Sequence, residues 1–501
     1  MGLWVSVTCA AFMVQLPDSD QWRQPLKQVK GPHHVCEDGA DHYTGYLPAG
    51  DTSFFFWLAR ARRESPAPLI VWLTGGPGCS SLLATVTENG PCWLDEQGMR
   101  VNHHSWSEEA DVLWVDQPAG VGYSLQATEG HAKDGDAVAR TMLVFLQSFY
   151  DTFPALAKSP LYLFGESYAG HYIPPIADLV VQQMPGVLHG VGLGNAVVNQ
   201  AVQLRTSAKF ARDGGRPDGG SLREGFATSE KVREMTQDLP LCEGSIARCR
   251  QSQDAQSCIA AAVECAVGEE QAATSMGRNP YDLRKECNRT ATHFCYDFRS
   301  QWNWFNDPST RDMLGSRVQS WEVCNFNVQR AFVASGDYFH AYDGAISDLL
   351  QRDVRVLVYN GDTDSVVNWV GSKAWISAMQ WPGEEEWKRA ADVPFLVDGV
   401  QRGRQRQALG LTFLQVFNAG HLVPMDVPDV ALAMVRDFVS TPVLTSAPAK
   451  TSLLFAVGHP WDATTLLVPV LVCVAFLLLV CVRFVLRGRA DDRASDYTQI
   501  A

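Results

Sequence analysis

Positive charge is scarce in this sequence. Its 501 residues hold 41 lysines and arginines against 55 aspartates and glutamates, so the formal net charge is −14 at pH 7. No basic low-complexity run occurs. Because nucleic-acid phosphates require a basic protein face, the composition argues against a nucleic-acid partner. The acidity is consistent with ordinary solubility and with adaptation to an acidic compartment.

Signs of disorder and repetition are also missing. Charged residues make up 19% of the chain and hydrophobic residues 46%, which is typical of a globular protein. No internal repeat is present. A chain of this length is too long to fold around one compact hydrophobic core unless that core is built on a large α/β sheet.

Two patterns that mark metal and nucleotide sites are absent. No Cys-x-x-Cys spacing occurs, which argues against a structural zinc site. The glycine-rich segment "TGGPGCSS" lacks the lysine that a phosphate-binding loop requires. The sequence therefore predicts neither a metal nor a cofactor.

Cysteine, by contrast, is plentiful. Cys9, Cys473 and Cys481 lie in the apolar segments at the two ends, and ten cysteines lie in the body of the chain. An even number predicts disulfides and an oxidising compartment. Asn288 lies in the only glycosylation sequon, which is consistent with secretion. The ten are Cys36, Cys79, Cys92, Cys242, Cys249, Cys258, Cys265, Cys287, Cys295 and Cys324.

The two ends of the chain predict a membrane topology. Residues 3–16 are apolar enough for the core of a signal peptide, assigned to residues 1–20, although the usual preceding basic residues are absent. Residues 466–486, after a stalk at 441–465, are long and apolar enough to span a bilayer as a helix. Arginines cluster at the carboxyl end of this span, so residues 487–501 should form a cytoplasmic tail. Within it, "YTQI" fits a tyrosine-based sorting signal.

Apolar runs that end in glycine-rich or polar loops recur along the body of the chain. Their Val, Leu and Ile content predicts strands buried on both faces of a mostly parallel sheet. Helix-like stretches such as 134–150 and 427–439 complete an α/β pattern, in which the loops after the strands carry the chemistry. The polar segment from about 200 to 325 holds seven of the ten body cysteines, and we interpret it as an insertion over the sheet. The runs are 69–73, 112–115, 161–164, 354–359 and 411–417.

Ser167 follows one of these runs, in "LYLFGESYAG". A sharp strand-to-helix turn between small residues lifts a serine oxygen out of the sheet, as in a nucleophile elbow, although Ala169 replaces the second glycine of the usual Gly-x-Ser-x-Gly form. Such a serine needs a base, and the base needs a carboxylate. Asp362 and Asp364 follow a later strand, and His421 follows the next. This is the chain order of α/β hydrolases, but the residues alone do not choose between the two aspartates.

Acyl transfer also requires donors for the tetrahedral oxyanion. The segment Gly75–Gly78 can expose backbone N–H groups without obstruction by side chains. The N–H of Tyr168, the residue after the candidate nucleophile, can supply a second donor.

Five blocks in order, "WLTGGPGCSS", "VDQPAGVGYS", "GESYAGHYIP", "NGDTD" and "NAGHLVPMDVP", resemble the serine carboxypeptidase family. The resemblance covers residues 31–440 and implies an α/β-hydrolase fold with a disulfide-bonded helical cap. It implies that Ser167 is the nucleophile, that His421 is the base and that Asp364, not Asp362, is the orienting acid. The oxyanion donors would be the N–H groups of Gly76 and Tyr168.

The resemblance also assigns recognition of the peptide's C-terminal carboxylate. Thr74, Gly75 and Glu166 occupy the family's positions for this task, and Glu88 matches a glutamate of the same network. Thr74 departs from the usual asparagine, although its hydroxyl can also donate a hydrogen bond. Clustered carboxyls with raised pKa values can donate to a carboxylate, which predicts activity at acidic pH. Val367 and Leu422 are expected to line substrate pockets. Tyr338 stands where an aromatic often shapes the pocket for the penultimate side chain, with a structural core aromatic as an equal alternative.

The cysteines fit the same family. Cys242, Cys249, Cys258 and Cys265 are spaced 7, 9 and 7 apart, which suits a nested pair of disulfides on a helical hairpin, as the family has. The expected pairs are Cys242–Cys265, Cys249–Cys258, Cys79–Cys324, Cys287–Cys295 and, from the two that remain, Cys36–Cys92.

The expected function is removal of C-terminal residues from peptides or proteins through an acyl-enzyme. Two alternatives remain at this point: an acyltransferase on the same scaffold, and a protective role for partner hydrolases. The ends of the chain predict a single-pass membrane protein of the secretory or endolysosomal pathway with a lumenal catalytic domain. Whether the chain forms a homodimer is left open by the sequence.

Overall fold

The computed structural model describes residues 26–36, 39–63, 66–127, 132–215, 221–222, 224–265, 269–287 and 295–440. The predicted signal peptide, stalk, membrane span, cytoplasmic tail and glycosylation site at Asn288 lie outside these ranges and stay predictions. Within the ranges, no helix combines the length and apolarity needed to cross a membrane.

The described residues form an eleven-stranded sheet, with two small hairpins beside it. The order across the sheet is β1-β2-β3-β7-β4-β8-β9-β12-β15-β14-β13, and the hairpins are β5–β6 and β10–β11. The strands are β1 Gln28–His33, β2 His42–Ala49, β3 Thr52–Ala59, β4 Leu69–Leu73, β5 Cys92–Asp95, β6 Gly98–Val101, β7 Asp111–Val115, β8 Leu161–Glu166, β9 Leu188–Gly194, β10 Arg278–Asn279, β11 Asp282–Glu286, β12 Arg355–Gly361, β13 Val393–Val397, β14 Val400–Ala408 and β15 Leu411–Val416.

The prediction of a mostly parallel sheet is corrected to a mixed sheet. The six central strands, β7, β4, β8, β9, β12 and β15, are parallel to one another. The strands on either side pair antiparallel. Short connections such as those between β2 and β3 and between β13 and β14 permit only antiparallel pairing, since a parallel crossover needs a dozen or more residues.

Helices cover both faces of this sheet. Along β4 the side chains alternate between two apolar layers, with Leu69, Val71 and Leu73 in one layer and Ile70 and Trp72 in the other. The first layer packs against α2, α3, α12 and α13, and the second against α1 and α16. The helices are α1 Leu82–Thr87, α2 Gly135–Thr152, α3 Ala169–Gln183, α4 Gln200–Leu204, α5 Ser207–Asp213, α6 Ser229–Ser252, α7 Ala255–Cys265, α8 Glu269–Ser275, α9 Arg299–Asn306, α10 Pro308–Leu314, α11 Phe326–Ser335, α12 Asp343–Gln351, α13 Trp369–Ala378, α14 Glu384–Arg389, α15 Val423–Asp426 and α16 Pro428–Ser440.

The segment interpreted as an insertion lies between β9 and β12 in the chain and is mainly helical. Its longest helix, α6, pairs with α7, and two nested disulfides join them, Cys242–Cys265 and Cys249–Cys258. The structure also contains the disulfides Cys36–Cys92, Cys79–Cys324 and Cys287–Cys295, so the ten body cysteines are paired as the sequence analysis expected. The hairpin β10–β11 of this segment is hydrogen-bonded to the loops that follow β12 and β15.

Candidate active site

Ser167 lies in a tight turn between β8 and α3. Its φ of 60° is in the left-handed region, which few non-glycine residues adopt. A Cβ at Gly165 would lie 2.3 Å from the carbonyl oxygen of Leu73, so glycine is required there. The Ser167 N–H donates to the carbonyl of Gly194 at 2.9 Å. The backbone strain and close packing are those of a nucleophile elbow, which holds the serine hydroxyl at the edge of the sheet.

His421 and Asp364 form a buried pair next to this turn. The Nδ1 of His421 lies 2.7 Å from Oδ2 of Asp364, and the two side chains are 4% and 0% exposed. Asp364 also accepts hydrogen bonds from the side-chain amide of Asn195 at 2.7 Å and from the backbone N–H of Val366 at 2.9 Å. The His421 backbone N–H donates to the carbonyl of Tyr281 at 2.7 Å. These contacts fix the ring with its other nitrogen available for proton transfer.

Asp362, the other candidate acid, has a different environment. Its carboxylate accepts hydrogen bonds from the backbone N–H groups of Ser221 and Asn418, the latter at 3.0 Å. Burial raises the pKa of Asp362 to about 6. The hydrogen bond to the imidazole is made by Asp364 instead, which is the geometry that the family resemblance implied.

A cavity of about 90 Å³ brings the candidate residues together. Ser167 and His421 both line it, but no hydrogen bond joins their side chains among the described residues. Catalytic hydrogen bonds often shorten only when substrate binds, so this separation is compatible with catalysis. The cavity is lined by Thr74, Gly75, Gly76, Cys79, Leu83, Glu166, Ser167, Tyr281, Tyr296, Phe298, Val323, Cys324, His421 and Leu422.

The glycine loop packs directly against the elbow. A Cβ at Gly75 would lie 2.3 Å from the backbone nitrogen of Tyr168, so only glycine permits this approach. Gly76 lines the cavity with a φ of 111°. Within the described residues, neither the Gly76 N–H nor the Tyr168 N–H donates to a protein acceptor. Two backbone donors beside the serine hydroxyl are what an oxyanion hole requires.

Glu166 and Glu88 form a buried carboxyl pair beside the cavity. Glu166 lines the cavity and Glu88 does not, and the two residues are 3% and 1% exposed. Burial raises the pKa of Glu88 to about 7. Burial, and then the charge of Glu88, raise the pKa of Glu166 well above its ordinary value. The two buried carboxyls interact directly, and one oxygen of each has no hydrogen-bond partner among the described residues, which favours a proton shared between them.

The remaining predicted pocket residues divide into two groups. Leu422 and Thr74 line the cavity, and the Thr74 hydroxyl accepts a hydrogen bond from the Trp72 indole at 3.0 Å, which leaves its own proton to donate. Val367 and Tyr338 are not among the residues that line this cavity, and their assignment to substrate pockets stays a prediction. The backbone N–H of Val367 lies 3.3 Å from Asp364, and the ring of Tyr338 stacks on Tyr168 with centroids 5.6 Å apart.

Sequence reasoning missed two kinds of site residue. Asn195 follows β9 directly, so the rule that polar residues at strand ends carry chemistry could have identified it. Tyr281, Tyr296 and Phe298 supply aromatic walls from the insertion segment. Nothing local in the sequence marks these three, because their position depends on how the insertion folds back over the sheet.

The comparisons with known proteins point to a family whose name fits this arrangement of serine, histidine and aspartate. A model of the serine carboxypeptidase family matches residues 32–441. The chain belongs to the serine carboxypeptidase family. The expectation of a serine-type carboxypeptidase is thus confirmed at the level of the family.

Individual members of the family match over most of the chain. Carboxypeptidase Y of Saccharomyces cerevisiae is 33% identical over 442 residues, which cover 85% of this chain and 81% of that protein. A serine carboxypeptidase-like protein of Oryza sativa is 33% identical over 413 residues, or 80% of this chain and 92% of that one. The crystal structure of Kex1(delta)p, a prohormone-processing carboxypeptidase from Saccharomyces cerevisiae, shares the fold with a TM-score of 0.64 at 21% identity, covering 84% of this chain and 96% of that one. The α/β-hydrolase fold is therefore confirmed.

The carboxyl pair predicts a specific pH dependence of stability. The folded protein retains a proton on Glu88 up to about pH 7, whereas the ordinary pKa is 4.5. The resulting stabilisation is fully present below pH 4.5 and is lost as the pH rises through about 7, on the order of 1–3 kcal/mol in the free energy of unfolding. Glu88→Gln cannot ionise, so chemical denaturation at pH 5 and pH 8 should show a smaller difference than in wild type. The exposed Glu322→Gln is the control, and an equal pH effect in all three proteins would contradict the shared proton.

Proposed function

We propose that this protein removes C-terminal amino acids from peptides or proteins through an acyl-enzyme intermediate, with an optimum at acidic pH. The observation that carries this proposal is that Ser167, His421 and Glu166 line one cavity, with Asp364 bound to His421 and Glu88 paired with Glu166. Ser167, His421 and Asp364 supply the groups for nucleophilic catalysis. The carboxyl pair can bind the free carboxylate of a peptide, which would direct the enzyme to C-terminal ends.

In the proposed reaction Ser167 Oγ attacks the scissile carbonyl carbon while His421 Nε2 accepts its proton. Asp364 holds the Nδ1–H of the ring and stabilises the imidazolium that forms. The N–H groups of Gly76 and Tyr168 bind the oxyanion. His421 then donates the proton to the leaving amine, which departs as the free C-terminal amino acid. A water molecule, deprotonated by His421, cleaves the ester and regenerates the serine.

Recognition of the substrate's carboxylate requires donors, and the carboxyl pair provides one when protonated. A protonated Glu166 can donate to the carboxylate, and Thr74 and Gly75, which can donate through a hydroxyl and a backbone N–H, line the same cavity. Ionisation of both glutamates would place like charges against the substrate and would weaken binding. This is the physical basis for proposing activity at acidic pH.

The catalytic assignments predict a graded set of losses. Ser167→Ala should abolish peptide hydrolysis and labelling by a fluorophosphonate, because loss of a triad member costs several orders of magnitude in rate. Asp364→Asn should lower kcat by about 10⁴-fold, because the ring would adopt the wrong tautomer. Asp362→Asn, the matched control, should retain most of the kcat. Labelling of a different serine, or the reverse ranking of the aspartates in folded variants, would contradict the assignment.

Carboxylate recognition predicts that KM, rather than kcat, follows the ionisation of the glutamates. For peptides with a free C-terminus, KM should rise as the pH passes through about 7, where Glu88 titrates. Blocked ester substrates should show no such rise, because they present no carboxylate. Glu166→Gln keeps a donor without a charge, and should flatten the peptide curve. Identical pH profiles for both substrate types in wild type and variant would show that Glu166 does not recognise the carboxylate.

We also propose that the protein is glycosylated at Asn288 and anchored in an endomembrane by residues 466–486, with the catalytic domain in the lumen. The apolar span, the flanking arginines and the "YTQI" tail support this placement. Truncation after Ser440 should yield a secreted, active protein, since the match to the family model ends at residue 441. Tyr497→Ala in the full chain should increase the amount at the cell surface. Retention of the truncated protein in membranes would exclude the anchor, and an unchanged distribution of Tyr497→Ala would exclude the sorting signal.

A further inference from the structure

The hairpin β10–β11 is hydrogen-bonded to both loops that carry the proposed acid and base. On the acid side, the carbonyl of Pro280 accepts from the Ser365 N–H at 2.9 Å, and the Leu283 N–H donates to the carbonyl of Thr363 at 2.9 Å. On the base side, the carbonyl of Tyr281 accepts from the His421 N–H at 2.7 Å. A two-stranded element from the insertion segment therefore bridges two loops that belong to the sheet.

Asp282 is the side chain at the centre of this bridge, and it is fully buried. Its Oδ1 lies 3.0 Å from the hydroxyl of Thr363, one residue before the proposed catalytic acid. That hydroxyl is also 2.8 Å from the carbonyl of Ala419, two residues before His421. One carboxylate and one hydroxyl thus connect the hairpin, the acid loop and the base loop within hydrogen-bond distance.

Two cations extend the bridge to a second acid. Arg284 contacts Asp282 through Nε and Nη2, both at 2.7 Å, and also donates to the carbonyl of Asn418. Lys285 lies 3.0 Å from Asp282 and 2.8 Å from Asp426. Asp426 accepts a hydrogen bond from the Gly420 N–H at 2.7 Å, directly beside His421. The two acids are 0% and 4% exposed at their side chains.

The charges in this cluster support one another. Burial alone would raise the pKa of Asp282, but its contacts with Arg284 and Lys285 lower it below the ordinary value. Asp282 is therefore ionised at any pH at which the enzyme would be active. Removal of its charge would deprive Arg284 and Lys285 of one of their anionic partners. Bidentate contacts of this kind fix geometry as well as contributing energy.

We propose that Asp282, with Arg284, Lys285 and Asp426, is a positioning cluster that sets the distance between the loop of the catalytic acid Asp364 and the loop of the base His421. The inference rests on the proposed function, because it concerns the same reaction. Asp282 does not touch the reacting atoms. It acts through Thr363 and through the carbonyls and N–H groups on either side of His421. The hairpin is accordingly part of the catalytic machinery, not only of a cap above it.

The test is Asp282→Asn in the full chain. This substitution keeps the size of the side chain and an oxygen for the Thr363 hydroxyl, but removes the charge that holds Arg284 and Lys285. We expect kcat to fall about 10–100-fold, since displacements near 1 Å in a catalytic group cost about that much. KM for peptides should change less than about threefold, because the carboxylate site is untouched. The rate of fluorophosphonate labelling at Ser167 should fall with kcat.

Asp111→Asn is the matched control for a simple loss of stability. Asp111 is a buried acid whose Oδ1 contacts Arg60 at 2.7 Å, and it is the first residue of β7, at the sheet edge opposite the catalytic loops. Asp111→Asn should lower the melting temperature without lowering kcat.

If Asp282→Asn fails to fold, Thr363→Val and Thr363→Ser replace it. The valine variant should lose kcat, and the serine variant, which keeps the hydroxyl, should recover most of it.

The outcomes separate the two proposals. A wild-type protein that releases no amino acid from any peptide would refute the proposed function. An active wild type whose kcat is unaffected by Asp282→Asn and by Thr363→Val would refute the positioning cluster alone. A loss of kcat in Asp111→Asn equal to that in Asp282→Asn, at equal melting temperatures, would also refute it.

Discussion

The pairing of β12 with β15 is the constraint on which the site depends. These strands run parallel in continuous register, with Gly361 opposite Val416, so they end at the same edge of the sheet. Asp364 and His421 follow those ends by a few residues, and only this adjacency brings the carboxylate and the imidazole within 2.7 Å. β9 and β8 come next in the sheet, and they place Asn195 and Ser167 along the same edge. The order of four neighbouring strands therefore determines which side chains can react together.

Burial gives the same edge a second property. In the proposed reaction the imidazole of His421 must accept a proton, whereas the Glu166–Glu88 pair must hold a proton to bind the substrate's carboxylate. These demands oppose each other as pH changes. Desolvation raises the pKa of Glu88 to about 7, so the carboxyl pair keeps a proton over a wider pH range than ordinary glutamates would. A more exposed pair would ionise at lower pH, which would narrow the range in which both demands are met.

The sequence predicted the parts of the fold that have a local signature. All five predicted apolar runs are central parallel strands, because burial on both faces leaves little room for polar residues. The sixth parallel strand, β9, was missed because glycines at 190, 192 and 194 interrupt its apolar pattern. The antiparallel strand β14 was missed because "VQRGRQRQA" is largely polar. The antiparallel pairing at the two margins of the sheet follows from short connections between neighbouring strands. Composition alone did not reveal these strands.

The candidate site residues also divide into those with a local sequence signature and those without one. Ser167 was predictable from its turn, and the choice of Asp364 over Asp362 came from the family resemblance rather than from the residues themselves. The structure gives the physical reason for that choice, since Asp362 is occupied by the N–H groups of Ser221 and Asn418. Val367 and Tyr338 were assigned from the resemblance alone, and the structure places Val367 against Asp364 and Tyr338 against Tyr168.

Asp282 shows what no sequence pattern could supply. It lies 81 residues before Thr363 in the chain and belongs to a polar segment that composition identifies only as an insertion. In the folded protein its carboxylate is as buried as that of Asp364 itself. Burial of a charge is unfavourable unless it is paired and hydrogen-bonded, and Asp282 has two cations and a hydroxyl within 3.0 Å. Such a site persists only if its neighbours are held in place, and here those neighbours are the loops on which the proposed reaction depends.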